Sequence, residues 1–147
     1  MSAARQTLRN LLMSRHELLY DRAFATAADY GYGDVTPAMA RLFVQVARGP
    51  ISISELARRL AISRQSVHET VSIACDLGLV ELVDEPADRR VRIVRFTPSG
   101  KRMSRAVLAV DRRMERELAR RIGARNVVTL KRLLSLDWGS EERQRAG

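Results

Sequence analysis

The stretch Ser63–Gly100, SRQSVHETVSIACDLGLVELVDEPADRRVRIVRFTPSG, decides the fold. At about 3.6 residues per turn, Val67, Thr70, Val71 and Ala74 share one side of a helix. Gln65, His68, Glu69, Ser72 and Asp76 share the other. Gly78 offers a tight exit. Leu79–Val83 and Val91–Phe96 are rich in β-branched and apolar residues, and Asp84-Glu85-Pro86-Ala87-Asp88-Arg89-Arg90 between them has the composition of a hairpin loop. Thr97-Pro98 then opens another helix.

Upstream, the spacing of Leu8, Leu11, Leu12, Leu18, Leu19 and Phe24 predicts a helix over 3–28, ended by the turn-rich Tyr30–Asp34. Thr36-Pro37 supplies an N-cap and first-turn proline for a helix through Met39, Leu42, Phe43 and Val46. Gly49-Pro50 stops it. Ile51-Ser52-Ile53 fits a very short strand, and Ser52 with Glu55 makes the capping-box pattern for a helix burying Leu56, Ala57 and Leu60. The turn Ala61-Ile62-Ser63 leads into the decisive helix, with Ser63 its N-cap. Downstream, Met103 to Leu118 continues a long helical pattern that Gly123 breaks. A last helix is expected over 127–137, closed by Trp138.

A helix, short turn, helix and basic-tipped β-ribbon in that order suits placement of one helix in a DNA major groove with the ribbon beside it. Gln65, His68 and Ser72 are the candidate base readers, and Arg64 reaches a base or a flanking phosphate. Arg89 and Arg90 at the ribbon tip are candidates for phosphate or minor-groove contact, with Asp88 orienting a guanidinium by a bidentate contact. The same features also suit a solvated helix face and an ordinary polar hairpin. Net charge is +9, but 36–97 contribute only +2 and 98–147 contribute +7, so charge by itself is a weak pointer to polyanions.

The residues offer an enzyme little. There are two histidines, His16 and His68, and one cysteine, Cys75. No spacing suits a metal, no glycine-rich loop suits a phosphate, and no catalytic residue, cofactor or metal ligand is assigned. The single cysteine excludes an intrachain disulfide and fits a reducing compartment. No apolar run suits a membrane span and no signal-peptide core is present, so a cytoplasmic protein is expected. Met13, His16, Tyr20 and Phe24 form a stripe on the first helix. It reads either as core of a helical interface or as the wall of a pocket for a small aromatic or anionic molecule.

Together these residues resemble the MarR family of winged helix-turn-helix transcription regulators. The matching run is Thr36-Pro37, Ser54-Glu55-Leu56-Ala57-Arg58-Arg59-Leu60, Ser63-Arg64-Gln65-Ser66-Val67, Gly78-Leu79-Val80-Glu81, the loop 84–90, and Phe96-Thr97-Pro98-Ser99-Gly100. The family's Asp-x-Arg falls on Asp88 and Arg90. The resemblance implies a mainly α fold with a small β-wing, in which 1–147 form a single domain. Within it, 36–97 would be the DNA-binding lobe, with 1–35 and 98–147 the helical dimerisation lobe. It also implies an obligate homodimer on double-stranded, palindromic DNA, a repressor role, and release by a small effector. Apolar stripes on three flanking helices agree with a dimer, although one larger monomeric core would bury them too. The alternative function is a winged-helix protein-interaction module. Cys75 does not lie in the first helix, where the family's thiol sensors carry their reactive cysteine, which argues against a redox mechanism.

Overall fold

The computed structural model describes residues 7–139. It consists of α1 (Leu8–Asp29), α2 (Pro37–Val46), β1 (Ile51–Ser52), α3 (Ile53–Leu60), α4 (Arg64–Asp76), β2 (Val80–Asp84), β3 (Arg92–Phe96), α5 (Pro98–Ile122) and α6 (Ala124–Leu134). The fold is mainly helical with a small antiparallel sheet of order β1-β3-β2, as a winged helix requires. The chain divides into two units, one up to Val110 and one from Asp111.

In the first unit the core gathers one face from each small element. Met39 and Leu42 of α2, Leu56 of α3, Val67 and Val71 of α4 and Val94 of β3 are almost wholly buried. No buried residue among those described is polar or charged. Removing each such side chain from water contributes about 1.5–3 kcal/mol, which is what holds three short helices on a three-stranded sheet. The helix starts are capped as the sequence suggests: Thr36, Ser52 and Ser63 each accept a backbone N–H, from Met39, Glu55 and Ser66. Arg41 donates from α2 to the Leu60 carbonyl at 3.2 Å, satisfying an end carbonyl of α3 with a cation. The capping box at Ser52 is only half formed, because the Glu55 carboxylate turns to Arg58 and Arg59 instead.

Several boundaries differ from expectation. Helix α1 begins at Leu8, where the Thr7 hydroxyl accepts the Asn10 N–H; residues 3–6 of the expected helix lie outside the described residues. Helix α6 runs 124–134 rather than 127–137, because Gly123, at φ 92°, takes the N-cap position and leaves Ala124, Arg125 and Asn126 to form the first turn. Ile53 belongs to α3, not to a strand. Both ribbon strands begin one residue later than expected. Leu79 is the buried residue at the ribbon's foot, 5% exposed against 37% for Leu77.

The corner around Leu79 is tightly made. Gly78, at φ 69°, takes the left-handed turn out of α4. The Leu79 carbonyl accepts the Thr97 N–H at 3.1 Å, and the Thr97 hydroxyl donates to the Gly78 carbonyl while accepting the Gly100 N–H. A Cβ on Gly100 would lie 1.9 Å from the Leu79 oxygen, so only glycine fits where α5 enters against the ribbon.

Helix α1 contrasts with this core. None of its 22 residues is buried, and Leu8, Leu11, Leu18 and Leu19 are exposed. Its side-chain tie to the winged elements is the Tyr20 hydroxyl, which donates to the Pro37 carbonyl at 3.3 Å. In the second unit, Lys131 of α6 bridges to Glu115 at 2.8 Å and Val127 is buried, while Val128, Leu130, Leu133 and Leu134 are exposed. Trp138 closes α6 by donating its indole N–H to the Leu133 carbonyl at 3.0 Å.

Candidate nucleic-acid interface

Helix α4 turns Val67, Val71 and Ala74 inward, leaving Arg64, Gln65, His68, Glu69, Ser72, Ile73 and Asp76 exposed. Thr70 lies between the faces and its hydroxyl bonds back to the Ser66 carbonyl. Among the described residues, Arg64, His68 and Ser72 have no side-chain hydrogen-bond or ion-pair partner. Gln65 does: its amide nitrogen donates to the Glu69 carboxylate at 3.0 Å. The helical pattern puts Gln65 and Glu69 on one face, and their four-residue spacing is the signal in the sequence for this bond. It also omitted Ile73, which is 51% exposed at the flank of the same face.

The ribbon sorts its four arginines into two classes. Across β2 and β3, Arg95 bridges to Glu81 at 2.8 Å and Arg92 to Asp84 at 3.4 Å, pairs that the register Glu81↔Arg95 and Asp84↔Arg92 brings opposite. At the tip, the guanidiniums of Arg89 and Arg90 have no carboxylate partner among the described residues. The tip is closed by backbone bonds from Glu85 to Val91, Asp88 to Glu85 and Val91 to Asp88. The Asp88 carboxylate accepts the backbone N–H of Arg90 at 3.0 Å. It thus orders the turn through the main chain, in place of the bidentate guanidinium contact foreseen from the sequence, and leaves the arginine head free.

Beside α4, Glu55 is held by Arg58 and Arg59 on the exposed face of α3. Their hydrogen bonds to its carboxylate lower its pKa to about 2. The Cys75 thiol is pushed upward by partial burial and by neighbouring Asp76, with Arg92 opposing. A thiol held protonated is a poor nucleophile at neutral pH, so its chemistry gives no support to redox sensing.

The stripe on α1 lies apart from this face. His16, Tyr20 and Phe24 stack in series, with ring centroids 5.0 and 4.7 Å apart, and Met13 is exposed. None of the four lines the small apolar cleft formed by Ala23, Ala27, Tyr30, Tyr32, Ala106, Val107 and Val110, whose volume of about 10 Å³ suits one water at most. No cluster of His, Cys, Asp or Glu among the described residues could hold a metal, and no described helix is long and apolar enough to cross a membrane.

Residues 33–91 match the model of the MarR family, and this span contains the whole of α2 to β2 and the ribbon tip. No curated protein matches the sequence. Among solved structures, the fold is similar to that of the transcriptional repressor CouR bound to a 23-mer DNA duplex, with a TM-score of 0.75 at 21% identity over 92% of this chain and 94% of that one. It is also similar to the multiple antibiotic resistance repressor MarR, with a TM-score of 0.69 at 21% identity over 87% and 92%. YusO from Bacillus subtilis is similar over the full length of both chains, with a TM-score of 0.63 at 18% identity. At such identities these likenesses concern the fold.

Proposed function

Residues 33–91 match the MarR family model, and from that premise we propose that the protein is a transcription regulator that binds double-stranded DNA in a sequence-specific manner. The observation that carries this reading is the pairing of the exposed polar face of α4 with a ribbon whose only uncompensated arginines, among the described residues, are at its tip. Gln65, His68 and Ser72 read base edges, with Arg64 at a base or adjacent phosphate. Arg89 and Arg90 contact phosphates or the minor groove, and Asp88 keeps their turn ordered. One related structure, CouR, is described as a repressor on a DNA duplex, which favours repression here.

The exposed leucines of α1 and α6 support a homodimer, because isolated apolar faces of this kind are covered in solution. Two copies related by a two-fold axis would address a palindromic site with half-sites about one helical turn apart. Release by a small aromatic or anionic effector is the finer part of the proposal, with the stacked His16, Tyr20 and Phe24 of α1 as its contact surface.

Glu69 and Asp76 on the face of α4 favour the second reading, a protein-interaction module, since carboxylates weaken attraction to phosphate. Titration of fluorescent duplexes at several salt concentrations separates the two. The DNA reading expects binding that weakens with salt and a Gln65→Ala loss of about 1–3 kcal/mol on a selected site but little on random DNA. Salt-independent or absent binding, or an equal loss on both duplexes, would overturn it. Sedimentation at micromolar concentration tests the dimer.

A further inference from the structure

We propose that Glu69 is a specificity-determining residue: by holding the Gln65 amide, it makes the Gln65–Glu69 pair on α4 an acceptor-rich edge that selects adenine or cytosine and rejects guanine at the base it faces. The inference rests on the DNA-reading role of α4 and adds which bases that helix admits.

The chemistry follows from one hydrogen bond. A carboxylate at neutral pH only accepts, so the group Gln65 presents to Glu69 must be its NH₂, whichever way the amide is drawn. This fixes the amide orientation. One of its two N–H groups is used, leaving one N–H and the carbonyl oxygen. Glu69 retains its second oxygen and most of its lone pairs. The two side chains, one helical turn apart on the exposed face, therefore offer several acceptors, a single donor and a negative charge.

Base edges in the major groove differ in what they need. Guanine shows two acceptors, N7 and O6, and would face acceptors and a carboxylate with one N–H between them. Adenine offers its N6 amino group to the Gln65 oxygen while N7 takes the remaining N–H. Cytosine offers its N4 amino group to Glu69. Among the described residues no arginine or lysine is paired with Gln65 or Glu69: Arg58 and Arg59 are engaged by Glu55, and Arg92 and Arg95 by Asp84 and Glu81. Arg64, beside Gln65, makes no contact with the carboxylate and is a separate donor for its own base or phosphate. The ordinary consequence of a carboxylate near DNA is uniform repulsion. Here it is coupled to a neighbour that can read bases, which converts repulsion into discrimination.

Selection from a randomised duplex pool tests this with the full-length protein and its Glu69→Gln, Glu69→Ala and Gln65→Ala variants. Both positions are exposed, and thermal melts check that each variant folds. The wild type is expected to enrich a motif with adenine or cytosine at one position of each half-site. Gln65→Ala and Glu69→Ala should relax that same position and no other. Glu69→Gln, which keeps size but adds a donor and removes the charge, should admit guanine there with about a tenfold gain relative to wild type. An enriched motif that Glu69→Gln leaves unchanged, a uniform affinity change on all duplexes, or guanine at the shared position in the wild type would overturn the inference while leaving sequence-specific binding intact. If the wild type enriches no motif, the DNA reading itself fails and this inference fails with it.

Discussion

Helices α4 and α1 differ in how far the chain itself covers them. Helix α4 has 13 residues, and its inner face is matched within the same chain: Val67, Val71 and Ala74 are wholly buried. Helix α1 has 22 residues, and none is buried. The sequence gives both an apolar stripe, so periodicity identifies a face that needs covering but not what covers it. The wing repeats the contrast in charge. Arg92 and Arg95 are answered by Asp84 and Glu81, while the heads of Arg89 and Arg90 are unanswered. Groups completed inside the chain hold the fold together, and groups left open are the ones available to partners.

Substitutions on either side of that division should therefore be read by different instruments. The largest effect is expected for Leu56→Ala, at a site with no solvent exposure. It should cost about 2–5 kcal/mol in denaturant unfolding, independent of protein concentration. Leu18→Ser on α1 should leave the intrinsic stability of the winged lobe nearly unchanged. It should instead raise the dimer dissociation constant in sedimentation about tenfold or more, the loss expected from one well-packed apolar contact. A cost for Leu18→Ser that does not vary with concentration would break the comparison by placing α1 within a monomeric core.

The wing sharpens the comparison. Arg90→Ala should weaken binding to all duplexes and reduce the salt slope by about one unit. Arg92→Ala should change the slope less, because Asp84 already compensates that charge. Equal slopes would mean that pairing within the chain does not decide which arginines meet DNA. Asp88→Ala is expected to weaken binding about fivefold, even though it removes a negative charge. The lost bond to the Arg90 N–H is worth about 1 kcal/mol, and a loosened tip must be ordered again on DNA. Tighter binding at physiological salt would show that the wing acts as diffuse charge.

The smallest effect concerns acid. Glu55 has a lowered folded-state pKa, so its contribution to stability is present above its ordinary value near 4.5 and is lost as pH falls toward about 2. Glu55→Gln should lower the melting temperature by about a degree at neutral pH, since the group is exposed and screened. The difference from wild type should vanish near pH 2. A difference that persists there would assign the loss to packing rather than charge.

The winged lobe was largely legible in the sequence because its signals agree at every level. Caps at Thr36, Ser52 and Ser63, the breaks at Gly49-Pro50 and Gly78, and the face of α4 all indicate the same elements. What was not legible depends on distance in space. Leu77 and Leu79 are equally apolar, and only the chain's turn at Gly78 decides that Leu79 faces inward. The sequence suggests a bidentate bond from Asp88 to an arginine head, whereas the carboxylate accepts the Arg90 backbone N–H, because whether a carboxylate meets a guanidinium or an amide is a matter of local geometry. The early start of α6 was missed because Ala124–Asn126 carry little apolar signal and Gly123 reads equally well as a break or a cap.

The close fit of Gly100 against the Leu79 carbonyl has a mechanical consequence. With the Thr97 N–H bonded to that same carbonyl and its hydroxyl joining Gly78 to Gly100, the first turn of α5 and the foot of the ribbon share one rigid joint. No hinge is left between them. A tilt of the entry to α5 would therefore be felt at the foot of the ribbon, as a push on the short arm of a lever whose long arm ends at Arg89 and Arg90.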